Sequence, residues 1–312
     1  MQGIVSKSTG SWYTVRTDQG VLACRIRGKL RLRGLKSTNP VAVGDAVELE
    51  REGAREGVIT GLLPRRNYIL RKSVNLAKQV QILAANVDQA LLMATLAAPP
   101  TFQRFIDRFA VTAEAYEVPF CLVFNKLDLY TEAQLEEMEF LTYLYEDAGY
   151  PVLHTSVADQ VGLDLVQRQL AGKRSLISGH SGVGKSSLIN ALAPELQLKT
   201  TPLSDAHQQG QHTTTFAELH ELPFGGQIID TPGIKGFGLV DMDKQELGDY
   251  FPEILARKKD CKFNDCLHRE EPGCAVKAAV EAAELAYPRY ESYLSFLDGT
   301  DTDETYRTDI HA

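Results

Sequence analysis

The sequence predicts a multidomain protein: a small N-terminal β-barrel, a central α/β domain with a parallel sheet, and a mainly α-helical C-terminal region. Three observations lead to this prediction. The first seventy residues alternate apolar and polar side chains in short runs, whereas strand-like and helix-like segments alternate in the middle of the chain. Helical sequence around a Cys/His cluster follows. At 312 residues, two or three domains fit. We place them at residues 1–70, 71–236 and 237–312.

The first region contains five strand-like segments separated by Gly and Asn-Pro turns. Five strands in so short a stretch suit an OB-fold, a barrel that often binds nucleic acids. The segments read GIVSKS, WYTVRT, VLACRIRG, VAVGDAVELE and EGVITGLL.

Charge is distributed unevenly along the chain. Residues 1–72 hold 14 Lys/Arg against 6 Asp/Glu, a balance of +8, and residues 73–312 hold 19 against 35, a balance of −16. A basic module on an acidic body indicates that one end contacts a polyanion.

The barrel region contains candidate residues for nucleic-acid contacts. Trp12 and Tyr13 could stack on bases while the basic side chains listed below contact phosphates. The alternative is that Trp12 fills the barrel. The candidate cations are Arg25, Arg27, Lys29, Arg31 and Arg33.

Localisation follows from what the sequence lacks. The N-terminal residues have no apolar core of a signal peptide, and no apolar run reaches the roughly 18 residues that a membrane span needs. Five cysteines without a secretory signal indicate a reducing compartment. We therefore expect a cytoplasmic protein with no membrane partner, and we expect it to be a monomer.

The central region alternates strands with helices, which indicates a parallel sheet with crossover helices. We expect one buried strand in QILAANVDQALLMATL and further strands in PFCLVF, PVLHTS and RSLISG. Helices are expected in TFQRFIDRFAVTAEAYE, TEAQLEEMEFLTYLYEDAG, GLDLVQRQLAG and SSLINALA. After residue 237 we expect loops, then a helical stretch around VKAAVEAAELAYPRYESYLSFL and a frayed acidic tail.

A phosphate-binding loop follows the strand RSLISG. The segment fits the pattern G-x-x-x-x-G-K-[ST] between a strand and a helix, which is the context of a P-loop. Its backbone N–H groups close around phosphate oxygens, the lysine reaches the β and γ phosphates, and the first serine binds Mg²⁺. The loop residues are Gly179, His180, Ser181, Gly182, Val183, Gly184, Lys185, Ser186 and Ser187.

Two further segments suit the metal and the γ-phosphate. QIIDTPG ends an apolar strand in D-x-x-G, which would place Asp230 on Mg²⁺ and the Gly233 N–H at the γ-phosphate. In GQHTTTF, we choose Thr214 as the residue that completes the Mg²⁺ shell. The alternatives are a simple turn for D-x-x-G and a threonine-rich strand entry.

The segment NKLD directly follows the strand PFCLVF and resembles a guanine-reading loop. The carboxylate of Asp128 can accept both N1–H and N2–H of guanine, which selects guanine over adenine. Asn125 would steady the loop, the Lys126 stem would lie over the ring, and Leu127 lies between them. At the next strand end, Ser156 would face the guanine O6.

The order of these segments is circularly permuted, because the base reader precedes the phosphate loop. Ligands gather outside the carboxyl ends of parallel strands, so a new order of strands leaves the site in place. The sequence therefore predicts a circularly permuted P-loop GTPase that binds GTP or GDP with Mg²⁺.

Catalysis needs a substitute for the usual glutamine. Ile234 occupies the position after D-T-P-G at which many GTPases have a water-orienting glutamine. We expect residues 204–236 to form the switch region, the part of a GTPase that changes with the bound nucleotide. His212 lies inside this region and is the nearest candidate to orient the water or accept its proton. The alternative is a structural or solvent-facing histidine.

Four potential metal ligands lie within fourteen residues near the C-terminus. Cys261, Cys266, His268 and Cys274 follow the spacing C-x₄-C-x-H-x₅-C. Three thiolates and one imidazole suit a closed tetrahedral Zn²⁺ site, whose role is structural because no position stays open for substrate. The alternative is a set of unrelated thiols.

Taken together, NKLD, GHSGVGKSS, GQHTTT, DTPG and the cysteine cluster resemble the bacterial circularly permuted, small-ribosomal-subunit-dependent GTPases, the RsgA/YjeQ family. The resemblance covers nearly the whole chain. It implies a GTPase stimulated by the 30S subunit that acts in its late maturation and contacts 16S rRNA. It also implies a catalytic role for His212. One departure is Gln211, where the family usually has an arginine.

Two other functions are compatible with parts of this sequence. A nucleotide-dependent RNA-binding regulator with incidental turnover is the alternative; the P-loop, Asp230 and the threonines favour hydrolysis. An ATP-using enzyme is disfavoured because Asp128 would repel the adenine N1 acceptor.

Overall fold

The computed structural model describes residues 1–27, 40–72, 80–198, 217–230 and 242–300. The chain begins with a closed five-stranded barrel in which β1 pairs with β2 and β4, while β3 and β5 pair in parallel. All five strands predicted from the alternation of side chains are present. They are β1 (Gln2–Ser8), β2 (Tyr13–Thr17), β3 (Gly20–Ile26), β4 (Ala46–Arg51) and β5 (Glu56–Leu62).

Tyr13, and not Trp12, fills the barrel. Tyr13 is 2% exposed and packs among the apolar side chains that alternate inward along the strands. Trp12 is 39% exposed, and the Arg25 guanidinium lies 4.2 Å above its ring centroid. The interpretation in which Trp12 forms the barrel core is therefore wrong, and so is the expectation that Tyr13 could stack on bases, because its ring is buried in the barrel. Lys29, Arg31 and Arg33 lie outside the described residues.

A hairpin joins the barrel to the central sheet. Its strands β6 (Tyr68–Lys72) and β7 (Val80–Ala85) are antiparallel. The sequence predicted one long strand here, but β7 ends before a turn in which Asn86 has a φ of +55°, and a new strand begins three residues later. Asn tolerates this left-handed conformation better than most residues, so it divides the apolar run.

The central sheet has the order β10-β9-β8-β11-β13-β12 and is parallel except for its last strand. Helices cover both faces, as the alternating pattern predicted. The strands are β8 (Gln89–Ala94), β9 (Phe120–Phe124), β10 (Val152–His154), β11 (Arg174–Ser178), β12 (Glu218–Glu221) and β13 (Gln227–Asp230). The helices are α1 (Gln103–Ala115), α2 (Glu132–Asp147), α3 (Leu163–Leu170) and α4 (Lys185–Leu192).

The barrel and the central sheet share hydrogen bonds. Edge strand β12 pairs antiparallel with β1, which makes one continuous sheet of eleven strands. Lys7 Nζ lies 2.8 Å from Glu218 Oε2, and Arg16 Nη1 lies 2.6 Å from Glu221 Oε1. Strand β12, which follows the segment GQHTTTF in the chain, is therefore held by the barrel.

The C-terminal region contains three short helices: α5 (Pro252–Lys258), α6 (Ala275–Glu281) and α7 (Tyr287–Asp298). The expected single helical stretch is divided because Ala283 has a φ of +56° and Pro288 lies in the first turn of α7. Proline is favoured at a helix start and disfavoured in its interior.

Among the described residues, no helix has both the length and the apolar character that crossing a membrane requires.

A buried ion pair fastens the C-terminal region to the central domain. Arg289 of α7 is 1% exposed; its Nη1 lies 2.6 Å from Asp107 Oδ1 of α1, and its Nε lies 2.7 Å from Glu253 Oε1 of α5. The Tyr145 hydroxyl donates to the same Asp107 oxygen at 2.8 Å. Burial alone would lower the pKa of Arg289, but Asp107 and Glu253 raise it well above its ordinary value, so the group stays charged.

Replacing Arg289 with Met should destabilise the protein by about 3–5 kcal/mol, because the Asp107 carboxylate would be left buried without its counter-charge. The measurement is the free energy of unfolding in urea. The control is Arg168→Met, which removes the exposed Arg168–Asp164 pair on α3 and should cost less than about 1 kcal/mol. Equal losses in the two variants would contradict this assignment.

Candidate nucleotide site and metal centre

The expected nucleotide-binding segments gather at one edge of the central sheet. Four parallel strands end there, with β8 between β9 and β11: β10 leads to Ser156, β9 to residues 125–128, β11 to residues 179–187, and β13 ends at Asp230. The carboxyl ends of parallel strands are the usual position of ligands in such sheets. The permuted order of the segments therefore does not separate them in space.

Asn125 joins the guanine-loop candidate to the P-loop. Its side-chain amide donates to the Val183 carbonyl at 2.9 Å, and its side-chain oxygen accepts from the Thr155 hydroxyl at 2.9 Å. The residue is 2% exposed. Three separate segments therefore meet on one side chain.

The P-loop conformation depends on glycine at two positions. Gly179 has a φ of +147° and Gly184 a φ of +101°, values that residues with a Cβ rarely adopt. A Cβ on Gly179 would also collide with the Met93 carbonyl oxygen, and one on Gly184 with the Asn125 amide. The P-loop backbone thus lies closer to β8 and to the guanine-loop candidate than a residue with a Cβ at Gly179 or Gly184 would allow.

Lys185, the first residue of α4, spans the loop. Its ammonium donates to the carbonyl oxygens of Gly179 at 2.6 Å and His180 at 2.8 Å. Burial lowers the pKa of Lys185 to about 8, partly offset by the nearby Asp230 carboxylate. A polyanion placed against the loop would favour the charged form. Ser186 and Ser187 follow in the first turn of α4, while Ser181 and Gly182 are exposed.

His180 packs against helix α1. Its ring lies 4.0 Å from the Phe105 ring, measured between centroids. Burial lowers the pKa of His180 to about 4, and the charges of Lys185 and Arg108 add to the effect. The imidazole is therefore neutral near pH 7, and it links the P-loop to α1.

The guanine-loop candidate differs in one contact from the expectation. The Ser156 hydroxyl donates to Asp128 Oδ1 at 2.6 Å and accepts the Asp159 N–H at 3.1 Å. Sequence reasoning aimed Ser156 at the guanine O6, whereas its hydroxyl proton is already directed at the carboxylate. A carboxylate accepts several hydrogen bonds, so Asp128, which is exposed, keeps capacity for a ligand.

Lys126 and Leu127 complete this loop. Lys126 has a φ of +67°, and its ammonium reaches across to the Ala98 carbonyl at 2.6 Å. Burial lowers the pKa of Lys126, although Asp128 opposes the shift. The Leu127 N–H donates to the Thr155 carbonyl at 3.3 Å. The loop is thus tied to its neighbours on both sides.

Sequence reasoning missed two residues of this site, Thr155 and Tyr130. Thr155 holds the oxygen of Asn125, as described above. The Tyr130 hydroxyl accepts the Leu96 N–H at 2.9 Å and donates to the Asn125 carbonyl at 3.0 Å. Only their positions in the sequence could have indicated these residues: Thr155 directly precedes Ser156, and Tyr130 lies two residues after the segment NKLD.

Asp230 ends β13 and is 8% exposed. Its carboxylate opposes the lowering of the Lys185 pKa by burial. His212, Thr214 and Gly233 lie outside the described residues, and their predicted roles stay predictions.

The Cys/His cluster predicted near the C-terminus is assembled. One ligand atom from each of Cys261, Cys266, His268 and Cys274 lies within 4.8 Å of the others. The Cys261 and Cys274 sulfurs are 4.0 Å apart and lie 3.5 and 3.4 Å from His268 Nδ1. A tetrahedral centre with Zn–S bonds of about 2.3 Å requires sulfur–sulfur distances of about 3.8 Å. The cluster can therefore hold a metal ion.

Neighbouring elements hold the cluster in shape. The hydroxyls of Tyr290 and Tyr293, both on α7, donate to the carbonyls of His268 at 2.6 Å and Leu267 at 2.7 Å. Burial raises the pKa of Cys266 to about 12 in the metal-free protein. A metal cation bound at the cluster would stabilise the deprotonated, thiolate form of Cys266.

A cavity of about 580 Å³ lies at the opposite, amino end of the parallel strands. Its polar groups are already engaged: Arg66 pairs with Asp88, and Arg174 donates to Gln227. The cavity is therefore separate from the candidate nucleotide site, which the strand ends define.

Two solved structures are similar to this chain over almost its whole length. YjeQ from Thermotoga maritima matches with a TM-score of 0.78 and 37% identity, covering 96% of this chain and 97% of that one. YloQ, described as a circularly permuted GTPase, matches with a TM-score of 0.73 and 31% identity, covering 96% and 94%. The fold of this chain is thus that of a circularly permuted GTPase.

Sequence comparisons agree. Two proteins, each named small ribosomal subunit biogenesis GTPase RsgA, match this chain. The one from Flavobacterium psychrophilum is 54% identical, covering 100% of this chain and 96% of the relative. The one from Christiangramia forsetii is 55% identical, covering 99% of each. The RsgA N-terminal domain model matches residues 2–59, and the RsgA GTPase model matches residues 62–240. The chain therefore belongs to the RsgA GTPase family.

Proposed function

We propose that this protein hydrolyses GTP during late maturation of the small (30S) ribosomal subunit, binds 16S rRNA, and is stimulated by the subunit. The observation that carries the proposal is the hydrogen bond from Asn125 to Val183, because it joins the guanine-loop candidate to the expected phosphate loop. The names of the relatives support the choice of the small subunit.

Guanine recognition rests on Asp128. Ser156 fixes one carboxylate oxygen, so the group is oriented before a ligand arrives. The exposed carboxylate then accepts N1–H and N2–H of the base, an interaction that adenine cannot offer. Lys126 donates to the Ala98 carbonyl, and its aliphatic stem would lie over the guanine ring.

The triphosphate would lie along the P-loop, with its charge met by backbone N–H groups, the start of α4 and Lys185. Ser186 and Asp230, with Thr214 from the switch, would hold the Mg²⁺ that accompanies GTP or GDP. The ion neutralises phosphate charge when bound. His212 would orient the attacking water or accept its proton, since Ile234 offers no polar group.

The cysteine cluster would hold one structural Zn²⁺, because four protein ligands leave no vacancy for substrate. The barrel would contact 16S rRNA through its net positive charge and through the exposed pair of Trp12 and Arg25. We further propose that the protein acts as a monomer in the cytoplasm.

GTP hydrolysis by the purified protein should rise strongly when small ribosomal subunits are added and should not respond to large subunits. In the presence of small subunits, the His212→Ala variant should hydrolyse GTP about 100-fold more slowly than the unmodified protein, which is a typical contribution of a positioned acid–base group. Phosphate release is the measurement. Slow turnover unaffected by either subunit would contradict the proposal and favour a nucleotide-dependent RNA-binding regulator.

Replacing Asp128 with Asn should weaken GTP binding about 100-fold, because a hydrogen bond to a charged group is lost and a donor faces N1–H and N2–H. The same amide can donate to the C2 carbonyl of xanthine, so binding of XTP should improve. Nucleotide affinities from fluorescence titration test this.

The matched control for that experiment is Asp164→Asn, which changes an exposed carboxylate of α3 and should leave GTP binding normal. An unchanged preference for GTP over ATP in the Asp128 variant would defeat the assignment of the base site.

The purified protein should contain one zinc ion per chain, and Cys266→Ser should remove it, because a ligand is lost from a closed site. Elemental analysis measures the content, and removal of the metal by a chelator should lower the melting temperature. Cys24→Ala is the control, since this buried barrel cysteine lies outside the cluster. Full zinc occupancy in the Cys266 variant would count against the ligand set.

A further inference from the structure

Helix α2 presents two contrasting faces. Met138, Leu141, Leu144 and Tyr145 form the buried stripe that packs on the central sheet. Their spacing is that of one face of an amphipathic helix. The helix lies beside β10, at the end of the sheet farthest from the barrel.

The opposite face of α2 carries aromatic side chains in the open. Phe140 is 51% exposed and Tyr143 is 68% exposed. They are three residues apart and therefore neighbours on the helix surface. Leu135, 38% exposed, lies two turns before Tyr143 on the same side. A single exposed apolar residue needs no explanation, but grouped aromatic side chains surrounded by charges mark a docking surface.

Helix α2 also carries six carboxylates and contains no Lys or Arg. Among the described residues, none of the six forms an ion pair. The carboxylates are Glu132, Glu136, Glu137, Glu139, Glu146 and Asp147.

This arrangement weakens the helix. Glu132 and Glu136 are four residues apart, a spacing at which like charges repel. Glu146 and Asp147 lie at the C-terminal end, where the helix dipole disfavours negative charge. Aromatic residues also form helices less readily than the polar residues that usually cover an exposed face. None of these features serves the packing of α2, which indicates a role outside the fold.

We propose that this α2 face, made by Leu135, Glu136, Glu139, Phe140 and Tyr143, binds a Lys/Arg-rich polypeptide segment that carries apolar side chains. Charge complementarity selects the partner: an unneutralised acidic surface attracts a polycation and repels the phosphates of RNA. The aromatic rings provide the apolar contact and can also lie against Arg or Lys side chains. The protein thus offers a basic surface for polyanions at the barrel and an acidic surface for polycations at the far end of the sheet.

Fluorescence anisotropy with a labelled peptide of repeating Lys-Lys-Leu units tests the proposal on the full-length protein. A Glu-Glu-Leu peptide of equal length and a single-stranded RNA oligonucleotide are the comparison probes. The assay contains neither nucleotide nor ribosomal subunits, so its result is independent of the proposed GTPase function.

We expect the basic peptide to bind and its affinity to fall as salt rises. The double variants Phe140→Ser/Tyr143→Ser and Glu136→Lys/Glu139→Lys should each lose about tenfold in affinity. The matched controls alter similar side chains elsewhere: Leu165→Ser/Leu255→Ser changes exposed apolar residues of α3 and α5, and Glu281→Lys/Glu291→Lys changes exposed acids. Both controls should bind as the unmodified protein does.

Three results would overturn the proposal. The first is an absence of peptide binding, or equal binding by the α2 variants and the unmodified protein. The second is RNA binding that is lost on Phe140→Ser/Tyr143→Ser, which would make RNA the occupant. The third is a dimer in sedimentation equilibrium that the α2 variants dissociate, since a second copy of the chain would then cover the face.

Discussion

The side chain of Asn125 is the contact on which the candidate site depends. It connects the end of β9 to the P-loop through Val183 and to the end of β10 through Thr155. Because the amide is buried, each of these bonds is needed to satisfy it. Gly184 then has to be a glycine, since any Cβ there would meet the same amide. One polar group therefore fixes the separation between the base-reading loop and the phosphate loop.

Two ion pairs connect the barrel and the C-terminal region to the central domain. On one side, the ion pair between Lys7 and Glu218 joins the barrel to strand β12. On the other side, Arg289 reaches from α7 to Asp107 on α1, the helix whose Phe105 packs on His180 of the P-loop. Both the barrel and the C-terminal region therefore contact elements that lie next to the candidate nucleotide site.

Much of this architecture could be predicted from the sequence, because its patterns are local. Five barrel strands, the parallel sheet and the Cys/His cluster each have a spacing that physical rules interpret directly. The errors arose where one residue overrode a pattern: Asn86 split an apolar run, and Pro288 divided a helical one. The bond from Ser156 to Asp128 and the role of Tyr130 were not predictable, because they join residues whose approach only the folded chain defines.

The central claim is that residues 125–128 and residues 179–187 form a single guanine-nucleotide site. Hydrogen exchange of the backbone amides, measured with GDP, with ADP and without nucleotide, tests it most directly. GDP should slow exchange in both segments at once, whereas ADP should leave residues 125–128 unprotected. Protection by GDP confined to residues 179–187, with residues 125–128 unchanged, would contradict the claim.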